Sequence, residues 1–184
     1  DRPFVNAFLS ATAAFPPETQ SLLISKRLLA PTLQTLLRRS YRPVKTVDDY
    51  FTGKAHPVVF DGAQIDEEKM AMLAHAMTPS LVPPVALLEI VGESAVVPNK
   101  DFFEPESVRD GRLATTPCSI SRVFRDSGYV HEMLVSAERS ADVQGRPLKF
   151  KWVLLQGDLN RVRIEAIQDG AKAKVAVAWH PEMR

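Results

Sequence analysis

The 184-residue sequence predicts an α+β fold: a mainly helical region in residues 1–84 packed on an incomplete antiparallel β-sandwich in residues 85–184. Three observations carry this expectation. Apolar residues in the first part recur at helical spacing. From Val85 the texture changes to alternation at period two, the mark of half-buried strands. After His131, four short apolar segments are separated by polar turns that each contain a glycine, which is how strands of an antiparallel sandwich follow one another.

The first forty residues carry the helical period. In PPETQSLLISKRLL, Pro17 suits a first turn, where its missing N–H is not needed, and Glu18 complements the positive end of the helix dipole. Leu22, Leu23, Leu28 and Leu29 supply an apolar stripe. Pro31 is expected to interrupt it, and PTLQTLLRR restarts as a second helix with Leu33, Leu36 and Leu37 on one side. Arg38, Arg39 and Arg42 crowd the end of that helix, where exposed carbonyls stabilise cations without any phosphate ligand.

Residues 42–63 hold no sustained period and several turn formers, so they predict a long ordered connection with one extended piece at Val58–Phe60. A third helix follows in IDEEKMAMLAHAM. Its first turn carries Asp66, Glu67 and Glu68, and Met70, Leu73, Ala74 and Met77 share one side. Pro79 ends it, and Pro83 with Pro84 stiffens the next connection.

VALLEIVGES predicts a strand, residues 95–117 an irregular charged segment, and SISRVFRDSGYV either a short helix or a strand. EMLVSAE, LKFKWVLL, RVRIEAI and AKVAVAWH are the four strands after His131, with turns at DVQG, QGDLN and QDGAK. In the last, Val175, Val177 and Trp179 share one face, with Ala176 and Ala178 on the other.

Composition narrows the function classes. With 45% hydrophobic residues the chain can bury a core, and a net charge of +1 supplies no field that would draw nucleic acid. A single cysteine, Cys118, excludes an internal disulfide and reads as a small buried or half-buried residue beside Pro117. No apolar run reaches the length of a membrane-spanning helix. The start at Asp1, without Met, leads to the expectation of a removed leader or a piece of something longer.

Candidate chemistry is sparse. His56, His75, His131 and His180 form no pair at zinc-ligand spacing. His56, with Tyr50 and Asp61 nearby in sequence, is the best candidate for a catalytic base, with Asp61 as its partner; the alternative is a loop histidine that bonds backbone. No nucleophile elbow, P-loop or dinucleotide fingerprint occurs, so no cofactor is expected. In DFFEPESVRDG, Asp101 and Glu104 head a set of acids that could hold calcium through hard oxygens, but the alternating acidic layout of a calcium loop is missing. The aromatic pairs Tyr50–Phe51 and Phe102–Phe103 read as plugs that anchor loops.

Residues 130–180 resemble the PKD and cadherin-like group of immunoglobulin-type sandwiches found in exported bacterial proteins. The residues that carry the resemblance are Ser136 and Ala137, then Asp142, Gly145, Leu148, Phe150 and Trp152 in ADVQGRPLKFKW, then VRIEAI and KVAVAW. Gly157 and Asp158 stand imperfectly for the group's acidic, glycine-containing turn. The whole chain is also similar to part of long exported bacterial proteins of uncharacterised activity. The resemblance implies an immunoglobulin-like sandwich, an extracytoplasmic location and a metal-ligand role for Asp142, which an Asx-turn explains equally well.

A sandwich of this type has a further strand after KVAVAWH, so the resemblance implies an open edge at Lys174, Ala176, Ala178 and His180 that a protein partner would complete. That partner is the remainder of a longer chain or another subunit. The function expected is a non-catalytic binding, spacing or assembly module of a larger exported protein, present here as a fragment or processed piece. The alternative is a supporting chain of a larger hydrolytic enzyme, with a pocket gathering His56, Asp61 and Tyr50.

Overall fold

A computed structural model describes residues 2–94, 112–122 and 129–179. The chain divides into two compact units, Asp1–Val85 with Val143–Arg146, and Ala86–Asp142 with Pro147–Arg184. Helices dominate the first and antiparallel strands the second, an α+β chain.

In the first unit, α1 (Arg2–Ala14), α2 (Pro17–Ser25), α3 (Leu29–Ser40) and α4 (Glu67–His75) enclose one core. Pro17 occupies the first turn of α2 as its fixed φ requires. The break between α2 and α3 does not fall at Pro31. Arg27 adopts φ 57, its N–H donates to the Ile24 carbonyl at 3.1 Å, and the Leu28 N–H donates to the Leu23 carbonyl at 2.7 Å. This left-handed cap ends α2 and satisfies its last carbonyls. Pro31 then lies in the first turn of α3, where its lack of an N–H costs nothing.

Ala7 and Ala11, one helical turn apart and fully buried, let α1 approach closely, while Leu23, Leu36 and Met70 fill the centre. Asp66 is not in the first turn of α4 but caps it, accepting from the Lys69 N–H at 3.0 Å. Thr19 is buried at the foot of α2 and donates to the Met77 carbonyl at 2.7 Å. The turn DVQGR belongs largely to this unit: Val143 packs on the core, and Gln144 and Arg146 donate to the carbonyls of Pro79 and Ser80.

The connection after α3 is ordered around a small second core of Tyr41, Val44 and Ala55, with Tyr50 and Phe60 packed against it. It includes a 3₁₀ turn at Asp48–Phe51 and another at Gly62–Gln64. Val58 and Val59 form no strand; they are bends that stand open to solvent.

The second unit contains β1 (Glu89–Glu93), β2 (Arg112–Thr116), β3 (Ser119–Arg122), β4 (Val130–Ser136), β5 (Val162–Ile167) and β6 (Lys172–Ala178). Strands β1, β4, β6 and β5 form one antiparallel sheet in that order, and β2 pairs with β3 as a separate hairpin. Register divides the sheet into two faces. His131, Met133 and Val135 oppose Val177, Val175 and Ala173, which in turn oppose Val162, Ile164 and Ala166. The other face carries Glu132, Lys172, Lys174, Arg163 and Glu165. This is the apolar-one-side, polar-other-side pattern of an antiparallel sheet.

Two segments differ from the pattern their sequence predicts. Residues 112–116, expected to be irregular, are β2, and Arg112–Arg122 closes a hairpin. LKFKWVLL, expected to be a strand, has no ladder partner among the described residues. Its burial still alternates: Leu148, Phe150, Trp152 and Leu154 are half-buried and Lys149, Lys151, Val153 and Leu155 exposed. The Trp152 indole N–H donates to the Gly170 carbonyl at 2.7 Å in the turn between β5 and β6, which ties this segment to that turn.

Candidate functional site

The clearest gathering of polar side chains in the first unit lies between the end of α3 and the loop that follows it. Arg38, in the last turn of α3, donates through Nη1 to the Ala55 carbonyl at 3.0 Å and to Nδ1 of His56. His56 Nε2 meets the Tyr50 carbonyl at 3.0 Å. These partners assign the tautomer: an arginine can only donate, so Nδ1 accepts, and Nε2 carries the proton given to the carbonyl. The Tyr50 ring stands edge-on to the imidazole with centroids 5.5 Å apart. Arg38 also lies over Phe60 and Arg39 over Tyr50, each 5.7 Å from the ring centroid.

Burial and then the Arg38 charge push the His56 pKa below the usual histidine value, against the Tyr50 carbonyl, which favours the cation. Asp49 holds the neighbouring part of the loop. Its carboxylate accepts from the N–H groups of Lys45 and Thr46 at 2.9 and 3.0 Å and from Lys54 Nζ at 2.6 Å. The Lys54 bond and then the Lys45 N–H hold its pKa well below the carboxylate range.

Asp61 is not presented to the imidazole as a catalytic partner would be. Its carboxylate accepts from the Ala63 N–H at 2.9 Å and caps the second 3₁₀ turn, while its own N–H donates to the Tyr41 hydroxyl at 3.0 Å. His56 and Tyr50, nearby candidates in the sequence, meet in the structure through the Tyr50 carbonyl and ring, whereas Arg38 reads in the sequence only as a terminal helix cation. The signal was its place: a long donor at the end of a helix, followed by a loop rich in aromatic residues.

The other candidates are dispersed. His75 is exposed at the end of α4, and His131 is buried on the apolar face of β4 opposite Val177. Cys118 is exposed in the turn between β2 and β3 rather than half-buried. Asp142 is buried, and among the described residues no group of His, Cys, Asp and Glu is arranged to hold a metal ion. Asp101, Glu104 and His180 lie outside the described residues.

The open edge expected at Lys174, Ala176 and Ala178 is not on that strand. β6 lies inside the sheet, with Ala176 paired to Glu132 on one side and Arg163 on the other, because the hairpin from β5 folds β6 back against β4. Among the described residues, the sheet ends instead at β1 and β5. At β1 a bulge falls between Ile90 and Gly92, the Leu88 N–H donates to the Pro117 carbonyl at 2.6 Å, and Arg122 grips Glu93 through two nitrogens at 2.9 and 3.4 Å. β5 has a ladder partner on one side only among the described residues.

An open depression of roughly 530 Å³ lies over the charged face, lined by Gly92, Glu132, Leu134, Glu165, Ile167 and Lys174 among others. Lys174 is cross-strand to Glu165 and pairs with Glu132 at 3.1 Å. Among the described residues, no helix is long and apolar enough to cross a membrane. No protein family, curated protein or solved structure matches this chain.

Proposed function

We propose that the chain is a non-catalytic binding or assembly module that engages another protein. One observation carries this reading: the side chains with the best claim to chemistry are taken up by loop structure. His56 accepts from Arg38 and donates to a backbone carbonyl, and the Asp61 carboxylate caps a turn. A general base needs a lone pair directed at substrate; here the basic nitrogen receives a guanidinium N–H.

The outer edge of β5 is the contact this reading favours: among the described residues it has a ladder partner on one side only, and an added strand would meet alternate side chains such as Arg163 and Glu165 on one face. The resemblance of residues 130–180 to exported bacterial sandwiches supports an extracytoplasmic setting. Native mass spectrometry on the protein purified from its source tests the reading, together with hydrolysis assays on ester, peptide and glycoside panels. A complex with a second protein that is lost when Ile164 and Glu165 are both replaced by proline, with α-helical content retained, is the expected result. Hydrolysis that disappears in His56→Gln would overturn it in favour of an enzyme.

A further inference from the structure

We propose that Arg38, His56 and Tyr50 form an acid-released clasp, in which protonation of His56 frees the loop of residues 45–60 from the end of α3. Three bonds converge on one short stretch: Arg38 to Nδ1 of His56, Arg38 to the Ala55 carbonyl, and His56 Nε2–H to the Tyr50 carbonyl. The middle partner can hold its place only while Nδ1 has a lone pair. A proton taken from solvent at Nδ1 turns the acceptor into a second donor facing a guanidinium, so the bond is lost and two cations are left in contact.

Among the described residues, the charged groups near the clasp in sequence have other bonds of their own. From α3 the ring meets Arg38, and Arg39 lies over Tyr50. From the loop, Asp49 is engaged by Lys54, Lys45 and Thr46. From the second 3₁₀ turn, Asp61 is engaged by Ala63, and Tyr41 bonds the Asp61 N–H. The direction of the His56 shift, downward through burial and Arg38, agrees with a ring that resists protonation while clasped.

Linkage gives the sign. The neutral ring is favoured in the clasped loop, so closure is complete above the unperturbed histidine pKa of about 6.5 and weakens as pH falls from there toward the lowered value. Opening would uncover Tyr50 and Phe60 beside Val47, Val58 and Val59, which are already exposed, and so enlarge an apolar surface in acid.

The test is hydrogen exchange on the intact chain at pH 7.5 and pH 5, corrected for intrinsic rates, alongside an NMR titration of His56. The amides of Tyr50, Thr52 and Ala55 are bonded within the loop. Their protection is expected to drop by about tenfold for each pH unit separating the clasped and open histidine, with a midpoint that follows His56. Met70 in α4 and the amides of β6 should keep theirs. His56→Gln, which retains an acceptor for Arg38, should remove the pH dependence, and Arg38→Met should loosen the loop at both pH values. Protection that does not change with pH overturns the proposal, as does a loss that persists in His56→Gln. If that variant fails to fold, a loop transition whose midpoint departs from the His56 titration in the parent chain overturns it equally.

Discussion

Replacing Gly170 by alanine should be among the most costly single-methyl additions in the second unit. Gln168, Asp169 and Gly170 turn the chain from β5 to β6 with φ values of 51, 54 and 86. Left-handed backbone costs an L-residue about 1–2 kcal/mol. A β-carbon on Gly170 would also sit 3.1 Å from the Phe150 carbonyl oxygen and 3.3 Å from its Cβ, inside the ~3.5–4.0 Å optimum for carbon contacts. Phe150 must therefore move, and the Trp152 bond to the Gly170 carbonyl, worth about 0.5–1.5 kcal/mol, moves with it. Together these give about 2–3 kcal/mol. Urea unfolding followed by tryptophan fluorescence reads this directly, because both tryptophans, Trp152 and Trp179, belong to the second unit. Asp169→Gly is the control: it relieves one left-handed residue and should change stability by less than about 0.5 kcal/mol or increase it. A Gly170→Ala variant within about 0.5 kcal/mol of the parent would refute the contact argument.

Two buried threonines in the first unit should behave oppositely. Thr19→Val leaves the Met77 carbonyl without its donor and should cost about 1–3 kcal/mol, whereas Thr32, whose hydroxyl has no bond among the described residues, should tolerate valine or gain from it; thermal melts by circular dichroism separate the two. Asp66→Ala removes the cap of α4 and should cost about 1 kcal/mol in the same melts. Arg122 and Glu93 are only 10% and 22% exposed and meet through two bonds, so a double-mutant cycle with Arg122→Gln and Glu93→Gln should return a coupling of about 1–2 kcal/mol in the fluorescence transition.

The helical half was legible where local chemistry decides the outcome. An acidic start and an apolar period define α4; the structure moves Asp66 from first turn to cap and ends the helix at His75, before Met77 and Pro79. The break after α2 was illegible because its left-handed position is filled by Arg27, a residue with no preference for it. There the tertiary core, through Leu23 and Leu28, imposes the geometry that glycine usually signals. Strand order was hidden for a similar reason: a sequence gives the strands β4, β5 and β6, but whether β6 ends the sheet or lies inside it depends on which side of β5 the hairpin folds. The clasp at His56 shows the same limit, since Arg38 becomes informative only when the loop returns to the end of α3.

LKFKWVLL separates two properties that a period-two pattern joins. Alternation reports that successive side chains point to opposite sides of an extended chain, one apolar and one wet; it carries no information about whether N–H and C=O groups meet a neighbouring strand. In this segment the first property holds residue by residue from Leu148 to Leu155, while the second is missing among the described residues. Two contacts help anchor it: Trp152 bonded to the Gly170 carbonyl, and Phe150 packed where only a glycine leaves room. The close fit of Phe150 against Gly170 and the indole bond of Trp152 therefore act on one turn. That turn carries the chain from β5 into β6, which lies between β4 and β5, so the aromatic residues of LKFKWVLL bear on the connection that brings β6 back into the sheet.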